Sequence, residues 1–192
     1  MTAVPLPPVH LLTVGEYAAL GEDDHGRSEL MEGNLVMSPS PTPAHNIAVA
    51  RLLVQIAPQL PDHLDMVPDV DIDLELAPAA QPGTVRRPDL SIVTRAGVRR
   101  AAAEESLLRA SDVRVAIEIL SPGSLRTDRM IKRAEYGDAG IPYYWIIDIE
   151  DPISLLPSRL TKRFGYRDAE AATVSFVTDD PFRLEIDLDR LR

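Results

Sequence analysis

The stretch VRVAIEIL, residues 113–120, decides the fold of this chain. It is apolar on both faces apart from Arg114 and Glu118, which is typical of a central strand that is covered on both sides. The sequence after it predicts a helix from about residue 125 to residue 139, and IPYYWIIDI at 141–149 predicts a second buried strand. A strand, a helix and a strand in this order indicate two parallel strands joined by a right-handed crossover.

Segments on both sides of this unit add further strands and helices. Strand patterns lie at 69–76, at 88–93, in a hairpin over 28–39 with its turn at 32–34, and near 153–156, 162–167, 173–178 and 182–187. Thr13 and Glu16 form a capping box that predicts a helix to about Leu20, and a largely buried helix is predicted after residues 38–43. Residues 95–111 are predicted to form a loop with a helical turn. The fold class is therefore α/β (α+β), with a central mixed β-sheet flanked by helices and with additional β-hairpins.

Length and composition limit the class of protein. The 192 residues indicate one domain, residues 13–192, after a Pro-rich N-terminal arm at 1–12. The absence of a long apolar run predicts no membrane span, and the N-terminus lacks the pattern of a signal peptide. The chain has no cysteine, which excludes disulfides and thiolate metal sites. We therefore expect a soluble cytoplasmic protein.

The charge balance bears on possible partners. A net charge of −10 argues against broad adhesion to nucleic acid, which depends on Lys and Arg, but it suits a site that holds divalent cations. A nucleic-acid function would need a local basic groove. A homodimer could build one by gathering arginines on one side: Arg86, Arg87, Arg99, Arg100 and Arg126. The apolar strand at 143–149 and the exposed hairpins also favour a homodimer.

Glu118 raises the first chemical question, because a charge in a buried strand is costly unless it is paired or binds a metal. One interpretation is a buried salt bridge to an arginine such as Arg87 or Arg114. The other is a metal site, since Asp89 opens the preceding strand and converges with Glu118 if the two strands are neighbours. Mg²⁺ and Mn²⁺ prefer carboxylate oxygens, a carbonyl and waters in octahedral array. Asp89, Glu118 and the carbonyl of Ile119 could supply such a set.

The predicted helix after Glu118 adds a cation. Asp128, Lys132 and Tyr136 are spaced four residues apart, so they share one helix face. Lys132 could then reach the mouth of the site. The alternative is an ordinary surface pair between Asp128 and Lys132, worth about 0.3–0.5 kcal/mol. That alternative applies more to Asp128 than to Lys132.

These residues resemble the PD-(D/E)xK nuclease superfamily, although Leu120 occupies the position of its usual strand lysine. The whole arrangement more closely resembles the Uma-two family, described as putative restriction endonucleases, which have a restriction endonuclease-like fold. The motifs that carry the resemblance keep their order over about residues 13–150: Glu29-Leu30-Met31-Glu32-Gly33; Ser38-Pro39-Ser40-Pro41 with His45; Arg87-Pro88-Asp89; Ala116-Ile117-Glu118-Ile119-Leu120-Ser121-Pro122; Asp128, Lys132 and Tyr136; and Gly140-Ile141-Pro142-Tyr143-Tyr144-Trp145-Ile146-Ile147-Asp148.

The resemblance implies a role for each site residue. Lys132 would replace the strand lysine and hold the scissile phosphate or lower the pKa of an attacking water. Asp89 and Glu118 would bind Mg²⁺ or Mn²⁺, and Glu29 would be a further catalytic acid that holds a metal directly or through water. His45 would be an accessory group that orients a ligand or a phosphate, or a structural residue at the start of its helix. Asp128 is a second possible accessory residue.

The implied function is metal-dependent hydrolysis of phosphodiester bonds in DNA by an endonuclease. The alternative is a non-catalytic or regulatory protein of nuclease fold that binds nucleic acid or a protein partner. A third alternative, a structural or toxin-like partner protein, has no direct sign in the sequence. Two groups are expected to take no part in the chemistry, the core or partner-face aromatics Tyr136, Tyr144 and Trp145, and the solvated strand face of Asp71, Asp73 and Glu75.

Overall fold

The computed structural model describes residues 10–20, 28–37, 40–121 and 127–192. The helices are α1 (Val14–Leu20), α2 (Pro43–Ile56), α3 (Arg95–Glu104) and a last helix that is π-helical over Thr127–Lys132 and continues as α4 (Arg133–Asp138). The strands are β1 (Ser28–Met31), β2 (Asn34–Met37), β3 (Leu64–Pro68), β4 (Ile72–Asp73), β5 (Val85–Arg86), β6 (Leu90–Thr94), β7 (Leu108–Arg109), β8 (Val113–Ile119), β9 (Tyr143–Asp148), β10 (Ser154–Thr161), β11 (Gly165–Asp168), β12 (Ser175–Thr178) and β13 (Leu184–Asp187). Most of the predicted N-terminal arm, residues 1–9, lies outside the described residues.

A mixed six-stranded sheet forms the centre of the fold, in the order β11-β10-β9-β8-β6-β3. β8 and β9 are parallel, with Glu118 opposite Ile146, and the other neighbours in this sheet are antiparallel. The predicted strand–helix–strand unit with parallel strands is therefore confirmed. A second sheet has the order β2-β1-β5-β4-β7, and β12 and β13 form a separate hairpin.

The central strand β8 is buried because both of its faces are covered. Val115, Ile117 and Ile119 pack in one core cluster, which also contains residues of α2. Ala116 and Leu120 pack in a second cluster on the other face. Successive side chains of a strand point to opposite faces, so Glu118 shares the face of Ala116 and Leu120. The second cluster also contains Tyr136 and Tyr144, and it is these aromatic residues that surround the charged side chain.

The β1–β2 hairpin brings an acidic residue to the central sheet. Its turn is Glu32-Gly33, and both residues have positive φ, as a two-residue hairpin turn of type I′ requires. A Cβ atom on Gly33 would lie 2.7 Å from side-chain atoms of Leu11 and Pro82, so this turn also needs glycine for space. β1 pairs with β5 through Leu30 and Val85, which places Glu29 beside β5.

Three predictions for the elements were wrong. The helix after residues 38–43 was expected to be largely buried, but only four of the 14 residues of α2 are buried. Residues 95–111 contain the ten-residue helix α3, which begins after the N-cap Thr94 and ends at Glu105 in a left-handed conformation. Alanine favours helix here even without an apolar stripe. The alternation at 69–76 produces only the two-residue strand β4, because Asp69 and Glu75 have positive φ and interrupt the extended backbone.

The predicted solvated face of acidic residues is exposed only in part. Glu75 is exposed, as expected, and accepts from the hydroxyl of Ser111, whereas Asp71 and Asp73 are half-buried. Asp71 accepts two hydrogen bonds from the guanidinium of Arg87, at 2.8 and 2.9 Å, and Asp73 accepts from the backbone N–H of Glu75. Among the described residues, no helix has the length and apolar character needed to cross a membrane.

Candidate active site

A pocket of about 490 Å³ lies at the carboxyl end of β8. It is bordered by the β1–β2 hairpin, the start of α2 and the π-helical segment. The structure brings together in this pocket all six residues that the sequence singled out: Glu29, His45, Asp89, Glu118, Asp128 and Lys132. The expected approach of Asp89 to Glu118, and of Lys132 to the same site, agrees with this arrangement, whereas the chemical roles of all six residues stay predictions.

Asp89 and Glu118 face each other across two neighbouring strands. β6 and β8 are antiparallel, and Leu90 pairs with Ile117, so Asp89 lies one step further along, opposite Glu118. Oδ2 of Asp89 accepts the backbone N–H of Ile119 at 2.7 Å and lies 3.1 Å from Nε2 of His45. Neighbouring strands thus account for the approach of two carboxylates that are far apart in the sequence.

Lys132 lies among three carboxylates. Its Nζ is 3.0 Å from Oε1 of Glu118, 3.3 Å from Oε1 of Glu29 and 3.5 Å from Oδ1 of Asp128. Asp128 and Lys132 are 2% and 8% exposed, so their interpretation as an ordinary surface pair was wrong. The arginine partners considered for Glu118 were wrong as well, because its ion-pair partner is Lys132.

Tyr136 completes this arrangement. Its hydroxyl donates to Oε1 of Glu118 at 2.8 Å, and the side chain is fully buried. Tyr136 was predicted to lie in the core or on a partner face, and this contact with Glu118 was not predicted. The signal was nevertheless present, because Tyr136 shares the spacing of Asp128 and Lys132 along one helix face. Tyr144 is buried and donates to the carbonyl of Asp128 at 2.9 Å.

The electrostatics of the pocket are dominated by its carboxylates. Burial raises the pKa of Glu118, Lys132 opposes that effect, and repulsion from the other carboxylates adds to it, so the pKa lies well above its ordinary value. Burial lowers the pKa of Lys132, but attraction to Glu118, Glu29 and Asp128 outweighs burial and raises it. Lys132 is therefore held as a cation in a pocket with an excess of negative charge.

Glu29 is held on both of its oxygens by protein donors. Oε1 accepts the backbone N–H of Arg87 and contacts Lys132, while Oε2 accepts from Arg86 at 2.9 Å. Burial raises the pKa of Glu29, but attraction to Lys132 and Arg86 and the bond from Arg87 outweigh it, so the pKa lies below its ordinary value. This carboxylate is therefore ionised and fixed beside Lys132.

Arg86 links the five-stranded sheet to the last helix. Its side chain is 1% exposed, and it donates to Glu29 and, through two nitrogens at 2.6 and 2.7 Å, to Glu135. The attraction of these carboxylates outweighs the effect of burial and raises the pKa of Arg86. The Glu29–Arg86–Glu135 bridge was not predicted, because Arg86 and Glu135 are 49 residues apart and no local sequence pattern joins them.

Three of the five arginines that were suggested to form a basic groove are instead paired with carboxylates of the same chain. Arg86 is buried in its bridge, Arg87 is paired with Asp71, and Arg100 is paired with Glu104 and Asp112. Arg99 is exposed, and Arg126 lies outside the described residues. The strand at 143–149 offers no edge to a partner, since β9 has β8 and β10 as neighbours. The homodimer itself stays a prediction.

The donor set suits a hard divalent cation. No hydrogen bond from a described residue reaches the second oxygen of either facing carboxylate, Oδ1 of Asp89 or Oε2 of Glu118. Within the described ranges, no group of three or more His, Asp or Glu residues is arranged to hold an ion. Mg²⁺ commonly binds through one or two carboxylates together with waters and substrate phosphates, so a pair of carboxylates matches its preference.

Comparisons with known proteins bear on the fold and the family. A family model with the description "Uma2: Putative restriction endonuclease" matches residues 14–182. The fold is similar to the crystal structure of a putative nuclease belonging to DUF820 from Anabaena variabilis, with a TM-score of 0.67, 19% identity, and coverage of 94% of this chain and 97% of that chain. No curated protein matches the sequence. The predicted fold class is confirmed by this similarity and by the mixed central sheet.

Proposed function

Because the chain belongs to the Uma2 family of putative restriction endonucleases, we propose that it is an endonuclease that hydrolyses phosphodiester bonds of DNA with Mg²⁺ or Mn²⁺. One observation carries the proposal. Asp89 and Glu118 face each other on neighbouring strands, and Nζ of Lys132 lies 3.0 Å from Oε1 of Glu118. Two carboxylates can hold a divalent cation that assists phosphodiester hydrolysis, and a lysine beside them can stabilise the charge that develops on the phosphate.

Asp89 and Glu118 would hold the metal through Oδ1 and Oε2. The chemistry supplied by a bound divalent cation is polarisation of the phosphate and activation of a water. His45 contacts the other oxygen of Asp89 at 3.1 Å, and Tyr136 contacts the other oxygen of Glu118 at 2.8 Å. These two side chains would therefore orient the carboxylates without competing for the ligand oxygens.

Lys132 would stabilise the negative charge that develops on the phosphate. Its charge is maintained by the surrounding carboxylates, and Glu29 and Asp128 restrain its position. Glu29 has both oxygens engaged by protein donors, so we assign it to positioning Lys132 rather than to binding the metal directly. Arg86 and Glu135 extend that support to α4.

The test is a cleavage assay on the purified protein with Mg²⁺ or Mn²⁺, using supercoiled, linear and single-stranded DNA and RNA. We expect Glu118→Gln and Lys132→Met to abolish cleavage, with Asp65→Asn and Lys162→Met as matched controls outside the pocket that retain it. Cleavage that persists in both pocket variants would contradict the assignment of Glu118 and Lys132 to the active site. A protein that cuts no substrate and shows no metal binding by calorimetry would instead be a non-catalytic relative.

A further inference from the structure

The pocket has an apolar part that phosphate chemistry does not explain. Met31, Val36 and Met37 of the β1–β2 hairpin and Ile131 of the π-helical segment line the same pocket as the carboxylates. Met37 is 50% exposed and Ile131 is 38% exposed. Apolar side chains that face a polar site rather than the core are a sign of a ligand surface.

We propose that this apolar part of the pocket receives the base of an unpaired nucleotide, so that the enzyme acts on single-stranded or locally unpaired DNA; this inference rests on the proposed endonuclease function. Met and Ile are side chains that proteins place against base faces or between base steps. Methionine is unbranched and polarizable and adapts to different shapes, so it suits contact with any of the four bases.

The charges of the pocket favour a single strand over a duplex. In the part of the pocket that the structure describes, every cation is ion-paired: Lys132 with three carboxylates, Arg86 with Glu29 and Glu135, and Arg87 with Asp71. Duplex binding draws its affinity from many contacts between free cations and phosphates. A single strand carries about one charge per 3.4 Å, against about one per 1.7 Å for a duplex, so fewer such contacts match its charge.

The size of the pocket leads to the same conclusion. Its volume of about 490 Å³ lies within the range of roughly 300–1,000 Å³ that pockets for compact ligands occupy. A nucleotide is a ligand of that size. A nucleotide within a duplex must first be unpaired and unstacked before its base can enter such a pocket, and that cost is least for a base that is already single-stranded or mismatched.

The first experiment compares substrates. Oligonucleotides of one sequence are offered to the wild-type protein with Mn²⁺ as a single strand, as a duplex with a mismatched bubble and as a fully paired duplex. Because the paired duplex must open locally, we expect kcat/KM to be at least about tenfold lower for it than for the other two. Equal or faster cleavage of the paired duplex would overturn the inference and leave the proposed function intact, whereas no cleavage of any substrate would overturn the proposed function.

The second experiment measures binding, so it does not depend on turnover. Fluorescence anisotropy follows a fluorescein-labelled single-stranded 12-mer with Ca²⁺ in place of Mn²⁺. We expect the double variant Met37→Ala, Ile131→Ala to weaken binding by about tenfold or more, the scale of the loss of one large apolar side chain that is buried against a ligand. The matched control is Leu35→Ala, Met130→Ala, since Leu35 and Met130 are 46% and 64% exposed on the same two elements but do not line the pocket.

The two outcomes of the binding experiment are distinct. Weaker binding in the pocket variant alone supports the inference, even for a protein that cuts no substrate. Equal binding by both double variants, or binding of the paired duplex that is as tight as binding of the single strand, would overturn it. Thermal unfolding of each variant verifies that a loss of binding reflects the pocket rather than the stability of the fold.

Discussion

The hydroxyl of Tyr136 lies 2.8 Å from Oε1 of Glu118, the same oxygen that Lys132 contacts. We expect Tyr136→Phe to lower the free energy of unfolding by about 1.5–3 kcal/mol, the range for a hydrogen bond to a charged group. It should also lower cleavage activity, because the Glu118 carboxylate loses one of the contacts that orient it. Tyr144→Phe is the matched control, since Tyr144 donates to a backbone carbonyl. Equal effects of both variants on activity would contradict the role assigned to Tyr136.

Removing the lysine should cost far more stability than removing the Glu118 carboxylate. Lys132→Met leaves three buried carboxylates without their cation, so we expect a loss of about 3–5 kcal/mol in the free energy of unfolding.

Burial and, after it, repulsion from neighbouring carboxylates raise the pKa of Glu118, and Glu118→Gln removes both of these costs together with the attraction to Lys132, so we expect a change of no more than about 1 kcal/mol in the absence of metal. The same variant should lose the increase in melting temperature that Mn²⁺ gives the wild-type protein. Urea unfolding in EDTA measures the first effect, and thermal unfolding with Mn²⁺ measures the second. A large destabilisation by Glu118→Gln in EDTA would contradict this account of the pocket.

The two lysines of the chain should differ in reactivity. Only Lys132 and Lys162 are lysines among its 20 basic residues. Lys132 is buried, and its raised pKa keeps the amine protonated, whereas Lys162 is exposed. Acylation needs the neutral amine, so we expect an amine-reactive reagent at mildly alkaline pH to modify Lys162 well before Lys132, as followed by peptide mass spectrometry. Comparable rates of modification at the two lysines would show that the Lys132 amine is neither buried nor kept protonated.

The Glu29–Arg86–Glu135 bridge should be a strong determinant of stability. Arg86→Met removes the cation but leaves two carboxylates, so we expect a loss of about 3–5 kcal/mol by urea unfolding. Arg95→Met is a matched control, because Arg95 pairs with Asp65 at a more exposed position, where a salt bridge is worth at most about 1 kcal/mol. A similar loss in the free energy of unfolding in both variants would contradict a larger contribution of the bridge to stability.

The N-cap of α1 should respond to acid. A bond from the backbone N–H of Thr13, together with those of the Thr13 hydroxyl and His10, holds the pKa of Glu16 below its ordinary value. A lowered pKa in the folded state means that the stabilisation is complete above pH 4.5, the ordinary value, and is lost as pH falls through the folded-state pKa. Hydrogen exchange of the Tyr17 amide should therefore speed up in that window in the wild-type protein. In Glu16→Gln the window should be absent.

The sequence predicted the parts of the site that depend on local periodicity. Asp89 and Glu118 were placed by strand patterns, and neighbouring strands do bring them opposite each other. Lys132 was placed by helical spacing from Asp128, and it does reach Glu118. These predictions succeeded because strand and helix periods fix which side chains share a face.

The sequence could not predict which distant partners pair. Arg86 was expected in a surface groove, but its partners Glu29 and Glu135 lie 57 and 49 residues away. The partners of Arg86 are determined by the pairing of β1 with β5 and by the packing of α4. Helix α3 was missed for a different reason, since the apolar side chains that it packs against the core are few and short, Val98 and Ala101, and so mark a helix only weakly.

The bridge through Arg86 also makes the pocket a junction between parts of the chain that could separate. Glu29 belongs to the five-stranded sheet and Glu135 to the last helix, and Lys132 lies between Glu29 and Glu118. Detachment of the β1–β2 hairpin would therefore remove a wall of the pocket and leave Lys132 with Glu118 and Asp128 as its remaining carboxylates. The position of this lysine thus depends on the five-stranded sheet as well as on its own helix.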